Sequence, residues 1–393
     1  MAKLGWTFKN QDAASYDFTD SVQSFTYTQG RQNVLDNYPG GTCQITMRNN
    51  AGQVAAASLA YRQRVFLRCE GTVSFRGWVQ GIIYNDTSGD ANDATATILL
   101  GDAWVLAAQQ IAEAQLLVSN DFQVQEIADL QFFAGYFSQS FGSSSIRGSL
   151  DYSSDWASRL NQIVASDRGK FVNIEGVYNY FPFQDMASLS DPTFSFGRTP
   201  SATVVGYQSF NRLQAIGNGT YVNSAQVTPE DLATQTYTNP QASTLGESTI
   251  TISTLNTTTS DGLNTAQWVA NSMADTTQQS FTINVLDVAQ TSLTKLAYLL
   301  TDGPLIELYY TPPGGSSTSE WISIEGLTVN GFIDRTEIDF YLAPLTYYKA
   351  LILDDAVFGV LGGVPTYNSE IDYDEIGFIY DDGNVEQGSR LGW

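Results

Sequence analysis

The chain has 393 residues, enough for two or three domains with substantial cores. Its 18 Lys and Arg face 41 Asp and Glu, a formal charge of -23, which excludes a grip on nucleic-acid phosphate. His is absent, which removes imidazole bases, His-containing triads and the commonest transition-metal ligand, while few charges (15%) and many aromatics (12%) favour strands.

Residues 1–101 read as a first small antiparallel β-barrel. Short strands are expected at 24–27, 42–47 and 64–69, separated by the turn signals Pro39-Gly40-Gly41, Asn49-Asn50-Ala51-Gly52 and Glu70-Gly71. A hairpin follows: Phe75-Arg76-Gly77-Trp78-Val79 runs out, the chain turns between Asn85 and Asp93, and Thr95-Ala96-Thr97-Ile98-Leu99-Leu100 returns. Cys43 and Cys69 lie in successive strands and read as two reduced core thiols, although a bridge is geometrically open; no C-x-x-C spacing supports zinc. Asp86, Asp90 and Asp93 in the hairpin loop offer oxygen ligands to a hard cation such as Ca²⁺. They depart from EF-hand order, so an exposed loop is the favoured reading and no metal or cofactor is expected.

Residues 102–190 read as a mixed α/β domain. Asp102 stands as N-cap before a helical run through Trp104, Leu106, Ile111, Leu116 and Leu117, with a second stretch around Val124, Ile127, Ala128 and Leu130. A Gly/Ser-rich joint covers 138–149. Ser153 or Ser154 can cap the next helix, which carries Trp156, Leu160, Ile163 and Val164 and ends where Gly169 offers a left-handed C-cap. Glu175-Gly176 reads as a two-residue turn between strands at 171–174 and 177–181.

Residues 191–350 read as a second β-barrel with a helical and polar insertion. Strands are expected at 203–205, 213–216, 221–222, 281–286 and 305–310, with a turn at Gly217-Asn218-Gly219. The polar stretch 228–262 reads as loop and short strands, followed by a helix from Asp261 past Trp268, Val269 and Met273 and a second helix at 292–300. Ile324-Glu325-Gly326-Leu327-Thr328-Val329 then turns near Asp334 and returns as Thr336-Glu337-Ile338-Asp339-Phe340-Tyr341-Leu342, repeating the pattern of the first hairpin. Gly77 and Gly326 therefore read as backbone turns or bulges at equivalent barrel positions. Two copies of one β-unit let three chains build a ring of six. Residues 351–393 form an acidic aromatic tail whose Tyr373, Phe378 and Tyr380 need cover, so it reads as a docking segment.

Catalytic carriers are missing: the sequence has no G-x-S-x-G elbow, Walker A loop or H-E-x-x-H, and no carboxylate pair stands out. Trp6, Trp78, Trp104, Trp156, Trp268 and Trp321 fall in expected strands or helices, where burial explains them better than a sugar site. The N-terminal segment lacks an apolar signal core and no run is long enough for a membrane helix, so neither Sec export nor a membrane partner is expected.

Gly41-Thr42-Cys43-Gln44-Ile45-Thr46 with Asn49 to Gly52, Phe75-Arg76-Gly77-Trp78-Val79, Leu100-Gly101-Asp102-Ala103, Asp167-Arg168-Gly169-Lys170-Phe171 with the Gly176 hairpin, and Ile324-Glu325-Gly326 with Leu342-Ala343-Pro344 and the 353–361 segment together resemble the tail-hub, or minor tail, proteins of long-tailed bacteriophages. That family is similar in fold to the baseplate hub of contractile phages, and the resemblance covers most of the chain up to about Gly362. It implies a mainly β fold of two tube-like antiparallel barrels with a small α/β part. It also implies a homotrimer whose barrels alternate around a pseudo-sixfold ring, adapting a sixfold tail tube to a threefold tip and lining a channel through which DNA passes without specific binding. The partners implied are the tail tube or a distal tail protein, the tape measure protein, and tip or fibre proteins, in a virion assembled in the host cytoplasm. The alternative function is a tail-associated β-rich glycan depolymerase or a carbohydrate-binding adhesin.

Overall fold

The computed structural model describes residues 5–11, 16–85, 93–110, 135–138, 146, 155–183, 194–197, 206–217, 221–240, 246–274, 279–287, 305–311 and 315–345. The loop aspartates Asp86 and Asp90, the runs at 111–117 and 124–130, most of the Gly/Ser joint, the strand at 203–205, the turn at 218–219, the helix at 292–300 and the tail with Tyr373, Phe378 and Tyr380 lie outside them.

Period-2 alternation of apolar and polar residues dominates the chain, and the strands it specifies run in order as β1 (Trp6–Asn10), β2 (Tyr16–Asp17), β3 (Val22–Gly30), β4 (Thr42–Arg48), β5 (Arg64–Cys69), β6 (Thr72–Asn85) and β7 (Thr95–Gly101), with a one-turn helix α1 (Gln53–Ala56) before β5. After α2 (Ala103–Ala107) come β8 (Phe137–Ser138), α3 (Trp156–Asp167), β9 (Lys170–Ile174) and β10 (Val177–Phe181). The remainder is β11 (Phe194–Gly197), β12 (Gly206–Gln208), β13 (Arg212–Gly217), β14 (Ser224–Pro229), β15 (Gln235–Thr238), β16 (Thr249–Thr254), α4 (Thr259–Ala274), β17 (Gln279–Asp287), β18 (Leu305–Tyr310), β19 (Thr318–Gly331) and β20 (Thr336–Pro344).

The fold is mainly β with a small α/β part, and its two β halves, antiparallel except where β11 runs parallel to β12 and β18, are continuous. Among the described residues, 14 strands form one curled sheet in the order β12-β11-β18-β19-β3-β4-β7-β6-β5-β1-β2, with β20, β17 and β13 following from β19. The join is made by β19. Its first half pairs β18 from Tyr310↔Thr318 to Leu305↔Ser323, its second half pairs β3 from Gly326↔Gly30 to Gly331↔Phe25, and β20 runs along its other edge. The sheet curls until β1 reaches the second half, where Trp6 Nε1 donates to Thr336 Oγ1 at 3.0 Å and the Trp6 ring lies 4.7 Å from Phe25.

One core fills the concave side, built from both halves: Phe8, Phe25, Tyr27, Ile45 and Phe75 from the first, Phe196, Phe281, Ile283, Val329 and Phe340 from the second. Each such side chain contributes about 1.5–3 kcal/mol by leaving water. Cys43 and Cys69 are free thiols in this core, as expected, and burial pushes the Cys43 thiol up. A second core lies under α2 and α3 and the sheet β8-β10-β9; it includes Trp104, Trp156, Leu160, Phe171 and Tyr178, and also Tyr38 and Trp78 from the first β half. The polar insertion folds as a third sheet, β15-β14-β16, covered by α4 through Ala266, Trp268 and Val269.

Local signals were met with some shifts of one or a few residues. Asp102 caps α2, accepting from the Trp104 and Val105 amides. The cap of α3 is Asp155, whose carboxylate accepts from the Ser158 amide, in place of Ser153 or Ser154. The left-handed residue after α3 is Arg168, at φ 58°, one position before Gly169. Gly169 serves space instead: a Cβ there would collide with the Tyr180 hydroxyl and sit 2.8 Å from the Phe181 carbonyl. Glu175 and Gly176 both take positive φ, the geometry of a two-residue primed turn, and join β9 to β10. Tyr221 and Val222 precede the strand expected there, which starts at Ser224.

Candidate functional site

The three parts of the fold meet at one buried point, and the meeting is organised by charge. Where β19 changes partner from β18 to β3, the register against β20 slips between Ile324 and Gly326, leaving Glu325 as a bulged residue. The bulge points a carboxylate into the interior, where Glu325 is 2% exposed. Its backbone carbonyl accepts from the Arg31 amide at 2.9 Å, just past the end of β3. This close approach needs bare backbone: Gly30 sits at φ 75°, where a Cβ would run into the Glu325 carbonyl, and a Cβ on Gly326 would lie 2.6 Å from the carbonyls of Gln29 and Arg31.

Two cations from other parts of the chain meet this carboxylate. Arg31 Nε lies 2.8 Å from Oε2, and Lys170 Nζ, from the first residue of β9, lies 3.0 Å from Oε1. Lys170 also donates to Ser323 Oγ and the Ile324 carbonyl, and Ser323 Oγ donates to Glu325 Oε1 at 3.0 Å. The Arg31 guanidinium stands 5.0 Å over the Tyr38 ring, whose hydroxyl exchanges bonds with the Phe171 backbone. Burial alone would raise Glu325, but the charges of Lys170 and Arg31 outweigh it and hold the carboxyl at about 2. Burial pulls Lys170 down to about 8 despite Glu325, so it remains an ammonium at neutral pH.

A second buried polar node ties the first β half to the α/β unit. Asp102, besides capping α2, accepts from the Gly41 amide at 2.7 Å and from the Tyr178 hydroxyl. Burial pushes its carboxyl up to about 6 against the pull of these hydrogen bonds. Neither node resembles a reaction centre: both are sealed, and each of their charges or donors is spent on another part of the same chain.

The residues singled out from sequence are dispersed. Asp93 is exposed just before β7. Among the described residues no group of three or more Cys, Asp or Glu is placed to hold a metal ion. Gly326 directly follows its bulge, but the equivalence with Gly77 is corrected by hairpin register. In β6 and β7 the slip falls between Val79 and Gly81, so Gly81 is the counterpart of Gly326, while Gly77 pairs with Val65 inside β6 and makes room for the Gly101 carbonyl, 2.9 Å from a Cβ. Trp6, Trp78, Trp104, Trp156 and Trp268 are buried as expected; Trp321 is 40% exposed because it takes an outward position in β19. Sequence reading missed Arg31, Lys170 and Glu325 as a unit, since Arg31 follows β3 in a polar run, Lys170 opens β9 and Glu325 looks like one polar residue of an alternating strand.

No protein-family model and no curated protein matches the sequence. Solved structures do match in fold. A tail protein from Neisseria meningitidis superposes with a TM-score of 0.58 at 10% identity, over 86% of this chain and 96% of that one. The 43 kDa tail protein of prophage MuSo2 from Shewanella oneidensis gives 0.58 at 9% identity, over 87% and 99%. Prophage tail protein gp18 from Listeria monocytogenes gives 0.50 at 9% identity, over 86% and 94%. The chain has a phage tail-protein fold, in keeping with the tail-hub resemblance of its motifs.

Proposed function

We propose that the chain is a structural, non-enzymatic subunit of a bacteriophage tail, the hub at its tip or baseplate. Three copies form a ring in which the two β halves of each alternate around a pseudo-sixfold axis, joining a sixfold tail tube to a threefold tip. The observation that carries this reading is the extent of the likeness, which runs over 86% or more of the chain and nearly all of two tail proteins. The continuity of the halves through β3 and β19 supports it, because one copy filling two ring positions needs its two β units held at a fixed angle.

The partners in this reading are two further copies, the tail tube or a distal tail protein, the tape measure protein, and tip or fibre proteins, all within the virion. One rim of the sheet supports an axial contact. Register sets the ends of β6, β17 and the β19–β20 turn along the same rim, with β7, β4 and β3 between β6 and β19, and exposed Tyr84, Leu286, Phe332 and Ile333 stand there. An excess of acids over bases keeps DNA from adhering to the wall it slides past. Native mass spectrometry with class-averaged electron images tests the assembly. A mass of three chains and an annulus with six lobes are expected; a monomer, or a trimer without a central opening, overturns the proposal.

A further inference from the structure

Matched strand by strand, each β half has one edge that its counterpart covers and it does not. The first half runs β3-β4-β7-β6 and the second β13-β17-β20-β19, and the strands correspond in that order. With Gly81 set on Gly326 by the two hairpin slips, Ile98 stands where Phe340 does, Ile45 where Ile283 does and Phe25 where Leu213 does. From Gly326 onward the outer edge of β19 is taken by β3 of the other half. The matching stretch of β6, residues 81–85, lies past the ladder to β5, which ends at Trp78, and among the described residues no strand covers that edge. β13, the counterpart of β3, likewise pairs with β17 alone among the described residues. Exposure reflects the missing neighbour: Val329 is buried, while Tyr84 at the same position is 63% exposed and Ile83 beside it 50%. A bare edge flanked by apolar side chains is a template for another strand.

We propose that residues 81–85 pair antiparallel with β13 of a neighbouring copy, repeating between copies the junction that β19 and β3 make within one chain. The register carries over: Thr328↔Thr28 becomes Ile83↔Ile216, Val329↔Tyr27 becomes Tyr84↔Ala215, and Asn330↔Thr26 becomes Asn85↔Gln214. Across the β19–β20 turn the Phe332 amide donates to the Arg335 carbonyl, so by alternation the backbone of Asn330 bonds to β20. Asn330↔Thr26 is therefore a pair without backbone hydrogen bonds, the kind whose side chains come closest, and Thr26 Oγ1 donates to Asn330 Oδ1 at 2.9 Å. Half-buried Asn85 and exposed Gln214 carry amides that suit the same bridge. This pairing rests on the ring reading: each copy offers β6 to one neighbour and β13 to the other, so that a closed ring leaves neither edge bare.

Full-length chains carrying Asn85→Cys and differently tagged chains carrying Gln214→Cys, co-expressed and oxidised with diamide, test it. Cys43 and Cys69 are buried and stay out of the reaction. Disulfide-linked dimers between the two tags are expected at about tenfold the yield of a control that pairs Gln214→Cys with Gln44→Cys, an exposed position on the inner strand β4. Adding Ile83→Lys to the chain with Asn85→Cys is expected to lower the yield about fivefold, since a charge on an edge opposes strand addition. A trimer on native mass measurement with links no more frequent than the control, or a yield that Ile83→Lys leaves unchanged, refutes the strand pairing and leaves the hub reading standing. Monomers without links refute both.

Discussion

Replacing Glu325 by Gln tests the idea that a buried charge cluster holds the three parts of this chain together. The carboxyl falls from its ordinary 4.5 to about 2 in the folded protein, and the group is fully buried, so no solvent discount applies. A shift of that size corresponds to about 3 kcal/mol of folding free energy, within the range of about 3–5 kcal/mol for breaking a buried ion pair from one side. Glu325→Gln is therefore expected to lower stability at pH 7 by about 3 kcal/mol, read from urea unfolding followed by tryptophan fluorescence.

The pH dependence separates this cause from a generic packing defect. Because the folded pKa lies below the unfolded one, the contribution of Glu325 is fully present above about 4.5 and is lost as the pH falls toward about 2, so wild type and variant converge in acid. In the variant Lys170 loses its counter-charge and its pKa falls further below the folded value of about 8. The unfolded chain then binds the extra proton at neutral pH, and stability of Glu325→Gln should rise as the pH is raised from 7. A difference below about 0.5 kcal/mol at pH 7, or one that persists unchanged at pH 2, refutes the reasoning.

Gly30→Ala places a Cβ against the Glu325 carbonyl at a positive φ and is expected to cost about 2 kcal/mol or more, seen as a lower melting temperature; an unchanged melt refutes the close backbone approach. Asp102→Asn keeps an acceptor for the α2 amides but sets an amide donor near the Gly41 amide, so a loss of about 1–2 kcal/mol is expected in the same urea assay. The raised pKa of Asp102 works in the opposite direction to that of Glu325: wild-type stability relative to Asp102→Asn should decline as the pH rises from about 4 to about 6. Cys43 and Cys69 should resist a thiol reagent in the native protein and react on unfolding; rapid labelling of either in native buffer contradicts the core assignment.

Much of the local structure was legible because local physics decides it. Alternation at 42–47 and the short apolar run within 64–69 need no partner to identify a strand, and Glu175-Gly176 specifies its own turn because few residues accept two positive φ angles in succession. Helix ends were harder by a residue or two, since Ser153, Ser154 and Asp155 are all competent caps and only the trajectory of the chain chose Asp155. The bulge equivalence was misplaced for a related reason: an apolar-polar-glycine pattern recurs at both Gly77 and Gly81, and the pairing of β6 with β7 selects the second.

By itself the sequence determined a strand-rich chain in which one hairpin pattern recurs, with no His and with a charge that repels phosphate, since composition and short-range periodicity depend only on near neighbours. Tertiary structure alone decided that the halves share one sheet through β3 and β19, and that Arg31, Lys170 and Glu325 meet although 294 and 155 residues separate the two cations from the acid. A period of two tells a residue which face it occupies but carries no address for the strand beside it, and a buried ion pair leaves no mark in the alternation that conceals it.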